Sequence, residues 1–252
     1  MDTNNNIKEM KKSTWLITAK TNLHVGDESS TGYGLIDKSV QRDALMGLPC
    51  INSSSLKGAL NEFCCYAKKD GNDLFLPSQL HGIFGDYKLG NTDENKNKID
   101  SQKGTTLFFD AGILFLPIQD DDNLYKLAYC DEIIDQFVEK ADLFGKAVNK
   151  DSFLNEIKDT TKKELYPVEK KSMFTQLCSD DDLPIIARNV LENGESKNLW
   201  YEQVIPAETI FYTFIQSPSG VLENELDDKI VQIGANATIG YGYCKFTKLL
   251  KS

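Results

Sequence analysis

Three stretches hold residue types that could do chemistry. Residues 23–49 (LHVGDESSTGYGLIDKSVQRDALMGLP) contain His24, Asp37, Arg42 and Asp43. An aspartate on a loop beside basic residues can act as a general base or hold a metal-bound water. A lone loop aspartate is also a common turn or capping residue. His24, two residues before Gly26, has two readings: a contact to a base or phosphate, or a structural histidine. Residues 51–59 (INSSSLKGA) put Ser54, Ser55 and Lys57 at the expected start of a helix. A helix N-terminus presents free N–H groups and a positive dipole end, which suits a phosphate. The alternative is that the serines only cap the helix and Lys57 is solvated. Residues 233–242 (IGANATIGYG) carry Gly234, Gly240, Tyr241 and Gly242. A dinucleotide fingerprint needs such glycines to open a helix, and here a strand follows. What remains is a phosphate-approaching loop or a plain turn.

The elements that position these stretches can be read from periodicity. Trp15, Ile17 and Ala19 alternate within 13–22, a strand pattern. Residues 24–36 are polar and glycine-rich and read as a loop. A helix is expected over 53–69, with Leu56, Leu60, Phe63 and Ala67 as its apolar stripe. Residues 86–103 have no periodicity and read as a long exposed loop. One or two core strands are expected in 104–118 and a helix in 131–148. Residues 149–200 mix charged and short apolar pieces and read as an insertion with a hairpin. A strand is expected at 208–216, a short helix at 223–232, and a last strand at 243–250. This order fits a β-α-β-β-α-β ferredoxin-like (RRM-like) α+β core carrying long insertions.

Composition narrows the classes. The 252 residues are 40% hydrophobic and 26% charged, the profile of a soluble globular chain. No apolar run approaches the roughly 20 residues of a membrane span, and the first residues lack a secretory apolar core, so a cytoplasmic protein is expected. None of the six cysteines forms a Cys-x-x-Cys pair, so they read as reduced, mostly buried thiols. A net charge of −10 argues against broad nucleic-acid binding but says little about one face of the molecule. Arg42 and Arg188 are the only arginines among 28 basic residues. With lysine so favoured, arginine at these places can reflect a need for its geometry.

Together the three stretches resemble a known family. LHVGDESSTGYGLIDKSVQRDALMGLPCINSSSLKGAL is similar to the N-terminal signature of the RAMP superfamily of CRISPR proteins. GANATIGYG is similar to that family's glycine-rich loop. QKGTTLFFDAGILFLPI and LWYEQVIPAETIFYTFI resemble further blocks of one branch, the repeated backbone subunit of type III-B (Cmr) effector complexes. Departures from the pattern are Ser39 for proline, Asp43 for glutamate, Met46 for threonine, Asn52 for glycine, Asn61 for arginine and Ala235 for glycine. None touches Asp37.

The resemblance implies one RAMP domain over 1–252: a ferredoxin-like palm with inserted fingers and a thumb from 149–200. It implies copies stacked in a filament along a guide CRISPR RNA, with other Cmr subunits as partners. Bound target RNA would be cut at regular intervals, with Asp37 as the matching catalytic position and His24 in support. Backbone contacts to RNA would fall to Gly26, Arg42, Ser54, Ser55, Lys57, Gly234, Gly240, Tyr241 and Gly242. A divalent cation (Mg²⁺ or Mn²⁺) at Asp37 is expected to assist attack by a 2′-hydroxyl. Met173 and Phe174, or Leu183 to Ile186, are the candidate wedges of the thumb. The alternatives are a catalytically idle guide-binding subunit, the type III-A (Csm) counterpart, and a monomeric processing enzyme.

Overall fold

The structure, a computed structural model, describes residues 10–26, 36–85 and 103–249. The first half of the chain forms β1 (Lys11–Ala19), β2 (Cys50–Ile51), α1 (Ser53–Tyr66), β3 (Lys68–Lys69), β4 (Asn72–Asp73), α2 (Pro77–Phe84), β5 (Leu107–Phe108), β6 (Ala111–Ile118) and β7 (Lys126–Cys130). The second half forms α3 (Asp131–Leu143), α4 (Lys150–Thr161), β8 (Leu165–Val168), α5 (Lys171–Leu177), β9 (Ile185–Glu192), β10 (Glu195–Gln203), β11 (Ile210–Ser217), α6 (Val221–Glu225), β12 (Ile230–Gln232), a 3₁₀ turn at Ala237–Ile239, and β13 (Tyr243–Lys248). The expected loop 86–103 lies, but for Lys103, outside the described residues.

Among the described residues the chain is a mixed α/β protein built on one large sheet. Its strand order is β12-β13-β1-β11-β6-β7-β8, with β2 added beside β6 and β5 beside β11. Pairings are antiparallel except for β7 with β8. Strand β1 is central. Trp15, Ile17 and Ala19 are fully buried on one face, and Thr14 and Leu16 are buried on the other. Both faces are covered, so the alternation seen in sequence marks only the more apolar of the two.

Helix α1 buries Leu56, Leu60 and Cys64, with Phe63 and Ala67 at the margin. Cys64 and Cys65 point to different sides: the first is buried, the second half-exposed. All six cysteines are free thiols. No serine caps α1. Asn52 holds the cap position without a side-chain hydrogen bond, and the Asp110 carboxylate accepts from Ser53 N at 2.6 Å. A carboxylate brought in from before β6 thus supplies what the serines were expected to supply.

Residues 149–200 are more than an insertion. Their first half adds α4, β8 and α5 to the body of the protein. Phe153 of α4 is buried between Phe115 and Phe137, with ring centroids 6.1 and 5.0 Å away. Asn149 caps α4 by accepting from Ser152 N. Only the second half is the hairpin. Strands β9 and β10 pair through the Asn193–Gly194 turn, both residues at positive φ, the turn chemistry that two-residue hairpins favour. Of the candidate wedge residues, Phe174 and Leu183 are buried in the core, while Met173 and Ile185 are exposed.

Candidate functional site

Asp37 sits where the chain runs alongside the base of the hairpin. Its N–H donates to Tyr201 O at 3.0 Å, and Tyr201 N–H donates back to Asp37 Oδ2 at 2.7 Å. Lys38 N also donates to Tyr201 O, and Gln203 N donates to Lys38 O at 2.9 Å. Val40 N donates to the Gln203 side-chain oxygen at 3.2 Å. Residues 37–40 are therefore laid along β10 as a short extra strand, with the Asp37 side chain exposed at its start. The carboxylate is held by a backbone N–H yet open to solvent, so it can reach an outside group without a change of fold.

Beneath it lies a buried polar cluster. Glu202, 1% exposed, accepts from the Asn236 side-chain amide. Its carboxylate lies 3.6 Å from His24 Nδ1 and 3.6 Å from Arg188 Nε. His24, also buried, contacts Gln203 O through Nδ1 at 2.7 Å. A carbonyl only accepts, so that nitrogen carries the proton and Nε2 faces Gly26. His24 thus lies under the site rather than on its surface.

The glycine-rich loop closes the cluster. Ala235 N donates to His24 O at 2.9 Å, and Gly242 N donates to Asn22 O at 2.8 Å. Gly234 has φ +80, and a Cβ there would sit 2.3 Å from His24 O. Gly242 has φ +78, and its Cβ would sit 2.0 Å from Ile233 O. These two glycines are required by the close approach of loop and strand. Gly240, at φ +83, faces open space. Tyr241 covers the Arg188 guanidinium at 4.6 Å.

A second group gathers at the start of α1. Gln41 organises it: its side chain donates to Ser55 Oγ at 3.0 Å and accepts from Asn52 N at 2.9 Å. Its backbone N donates to Val25 O, which ties the group to the first. Ser54 is exposed and Lys57 is half-buried in the first turn. Arg42 is occupied by protein: it donates to Gly47 O, Cys178 O and Asp180 Oδ1 at 2.7–2.8 Å. Asp180 accepts from Gln203 Nε2 as well, so Arg42 braces the foot of the hairpin.

The fold thus brings His24, Gly26 and Gly234 together, sets Tyr241 on Arg188 of the hairpin, and holds Asp37 to Tyr201 of the same hairpin, while Gln41 ties Ser55 at the start of α1 to this region. Sequence reasoning missed Glu202, Gln203, Asn236 and Gln41. The one signal for Glu202 was an acid inside the apolar run LWYEQVIP.

Comparisons with known proteins identify the family. The RAMP superfamily model matches residues 16–245. The CRISPR system Cmr endoribonuclease Cmr4 of Pyrococcus furiosus is 25% identical, with 87% of this chain and 90% of that protein covered. Oligomeric Cmr4 from Pyrococcus furiosus superposes with a TM-score of 0.68 at 18% identity, covering 94% of this chain and 98% of that one. A chain of the apo type III-B Cmr-beta complex gives 0.66 at 22% identity, covering 94% and 97%. A family model that matches from within β1 to within β13 makes this chain a member of the RAMP superfamily.

Proposed function

We propose that the chain is the guide-RNA-binding backbone subunit of a type III-B CRISPR complex and that it cleaves bound target RNA at Asp37. The observation that carries this is an exposed carboxylate held at the foot of a hairpin whose Arg188 packs on Tyr241 of the glycine-rich loop. The relative named a Cmr endoribonuclease supports the activity, and the oligomeric Cmr4 structure supports stacking of copies. The palm is ferredoxin-like in this reading: β1, α1, β6, β11, α6 and β13 follow the β-α-β-β-α-β connectivity, with other elements as additions. Hairpin β9–β10 is the thumb. No helix among the described residues is long and apolar enough to cross a membrane.

The donor set at Asp37 fits a divalent cation only as a shared ion. Among the described residues, no three His, Cys, Asp or Glu side chains are placed to hold a metal. Mg²⁺ is commonly held by one or two carboxylates together with substrate phosphates and water, and Asp37 supplies the one carboxylate. Such an ion would act as a Lewis acid toward a 2′-hydroxyl and its phosphate. Asp37 takes the proton of a target 2′-hydroxyl. The 2′-oxygen then bonds to its own phosphorus, and the 5′-oxygen leaves with a proton from water. The products are a 2′,3′-cyclic phosphate and a 5′-hydroxyl. The hairpin fixes Asp37 through Tyr201, and His24 and Glu202 hold the floor below it.

The test is target cleavage by the reconstituted complex, with Mg²⁺ or Mn²⁺ and with chelator. A regular ladder, lost in Asp37→Ala while target binding persists, is expected. An unchanged ladder in the variant moves the chemistry elsewhere. No ladder from wild type, with normal binding, leaves Asp37 as the structural cap that its bond to Tyr201 N also allows. Ends bearing a 3′-hydroxyl refute the 2′-hydroxyl route.

A further inference from the structure

Arg188 and Trp200 stand directly opposite each other in the register of the β9–β10 hairpin. Both carry buried N–H groups that have no acceptor among the described residues: Arg188 Nε and Nη2, and Trp200 Nε1. The carboxylate of Glu202, 3.6 Å from Nε, balances charge but is too far for a hydrogen bond. Tyr241 covers one face of the guanidinium, and Lys38 Nζ lies 5.1 Å from the centre of the Trp200 ring. Arg42, the other arginine, has its guanidinium filled by three protein acceptors. Arg188 does not.

Buried polar groups are nearly always paired, and a group left unpaired costs about 1–3 kcal/mol. Here three such donors sit on two facing residues. Neither side chain can accept, so what would satisfy them is acceptor oxygens from outside the pair. The guanidinium fork matches two oxygens of a phosphate, and Lys38 adds positive charge at the same face. The pair adjoins Asp37, since Tyr201, which exchanges two hydrogen bonds with Asp37, follows Trp200 in the chain, and the Arg188 side chain keeps 20% of its surface open to solvent.

We propose that Arg188 and Trp200 form a phosphodiester-binding site beside Asp37, filled by an RNA strand crossing the base of the hairpin. This rests on the RNA-cleaving reading above. It adds a specific pair of residues, facing each other on the hairpin, that would fix the register of the strand against Asp37. The phosphodiester could belong to the target or to the guide, and the same chemistry serves both.

The test uses the reconstituted complex with single neutral methylphosphonates walked along the target in one series and along the guide in another. Wild type is compared with Trp200→Phe and Arg188→Gln. One position is expected to weaken wild-type binding by about tenfold to a hundredfold, as for loss of one charge-assisted hydrogen bond, and to have little effect in the variants. Arg188→Gln is also expected to lower the salt slope of binding by about one. The strand holding the sensitive position identifies the source of the phosphate. Trp200→Phe leaves the Arg188–Glu202 pair intact and keeps the test available if Arg188→Gln does not fold. Wild type that binds and cleaves RNA with no such position, or with equal sensitivity in both variants, overturns this site alone. Wild type that binds neither strand overturns the function and the site together.

Discussion

Glu202 is the keystone of the floor under Asp37, and its removal has a calculable cost. Its side chain is 2% exposed and meets Asn236, His24 and Arg188. Glu202→Ala removes the acceptor of the Asn236 amide, a loss of about 1 kcal/mol. It also leaves Arg188 without its counter-charge. Breaking a buried pair costs about 3–5 kcal/mol when the survivor is fully buried. Arg188 retains 20% side-chain exposure, so the low end, about 3 kcal/mol, applies. The sum, about 4 kcal/mol, lowers Tm by roughly 8–16 °C for a chain of this size. Glu202→Gln keeps the shape and an oxygen for Asn236, and it should cost about half as much. Adding Arg188→Ala to Glu202→Ala removes the stranded charge, so the double variant should be more stable than additivity predicts by about 1–2 kcal/mol. Thermal and urea unfolding of the isolated chain, followed by far-UV circular dichroism, reads all four. A Glu202→Ala melt within 2 °C of wild type, or strict additivity in the double variant, would refute this account.

Three further outcomes are expected. Gly242→Ala meets the Ile233 carbonyl and should destabilise the fold by more than about 3 kcal/mol, whereas Gly240→Ala, in open space, should cost only the roughly 1–2 kcal/mol of a left-handed residue; comparative melts separate the two. Burial pushes the thiols of Cys64, Cys178 and Cys244 up to about 12 from an ordinary 9.0. They stay protonated in the folded state while the unfolded chain ionises, so their contribution to stability is whole below pH 9 and declines as pH rises toward 12. Titration of the native chain with a thiol reagent near neutral pH should therefore show these three silent and Cys65 first to react, and rapid labelling of Cys178 would contradict the packing. Arg42→Lys cannot reproduce the fork to Gly47, Cys178 and Asp180 and should cost about 2 kcal/mol, visible as a lower urea midpoint and earlier proteolysis at the foot of the hairpin.

What could be read from the sequence was set by how strongly each segment advertised its period. Strand β1, helix α1 and strand β11 were legible because long apolar residues recur at the spacing of their element. Helix α4 was not, since only Phe153 and Ile157 of its twelve residues are buried and charged residues surround them. Strand β8 is four residues long, contains Pro167, and pairs in parallel at the sheet edge, so it has neither length nor alternation to signal it. Asp37 could be marked as a candidate because it stands inside a recognisable block. Glu202 and Asn236 could not, because what distinguishes them is a meeting in space between a strand and a loop over thirty residues apart. For the same reason Arg42, read from its block as an RNA contact, gave no sign of its three protein acceptors, which come from a nearby turn and from residues 178 and 180.

The central position of β1 has a consequence for how the protein is made. Residues 11–19 leave the ribosome long before either neighbour of the strand, since β11 and β13 lie about two hundred residues downstream. Until those segments are synthesised, an apolar strand with Trp15 and Ile17 waits with both edges open, the condition in which strands from different chains join. Pairings between such distant segments also slow folding. Premature stops before residue 210 should thus yield insoluble chains rather than soluble fragments, and holdase chaperones should bind the nascent N-terminal strand until the C-terminal strands arrive.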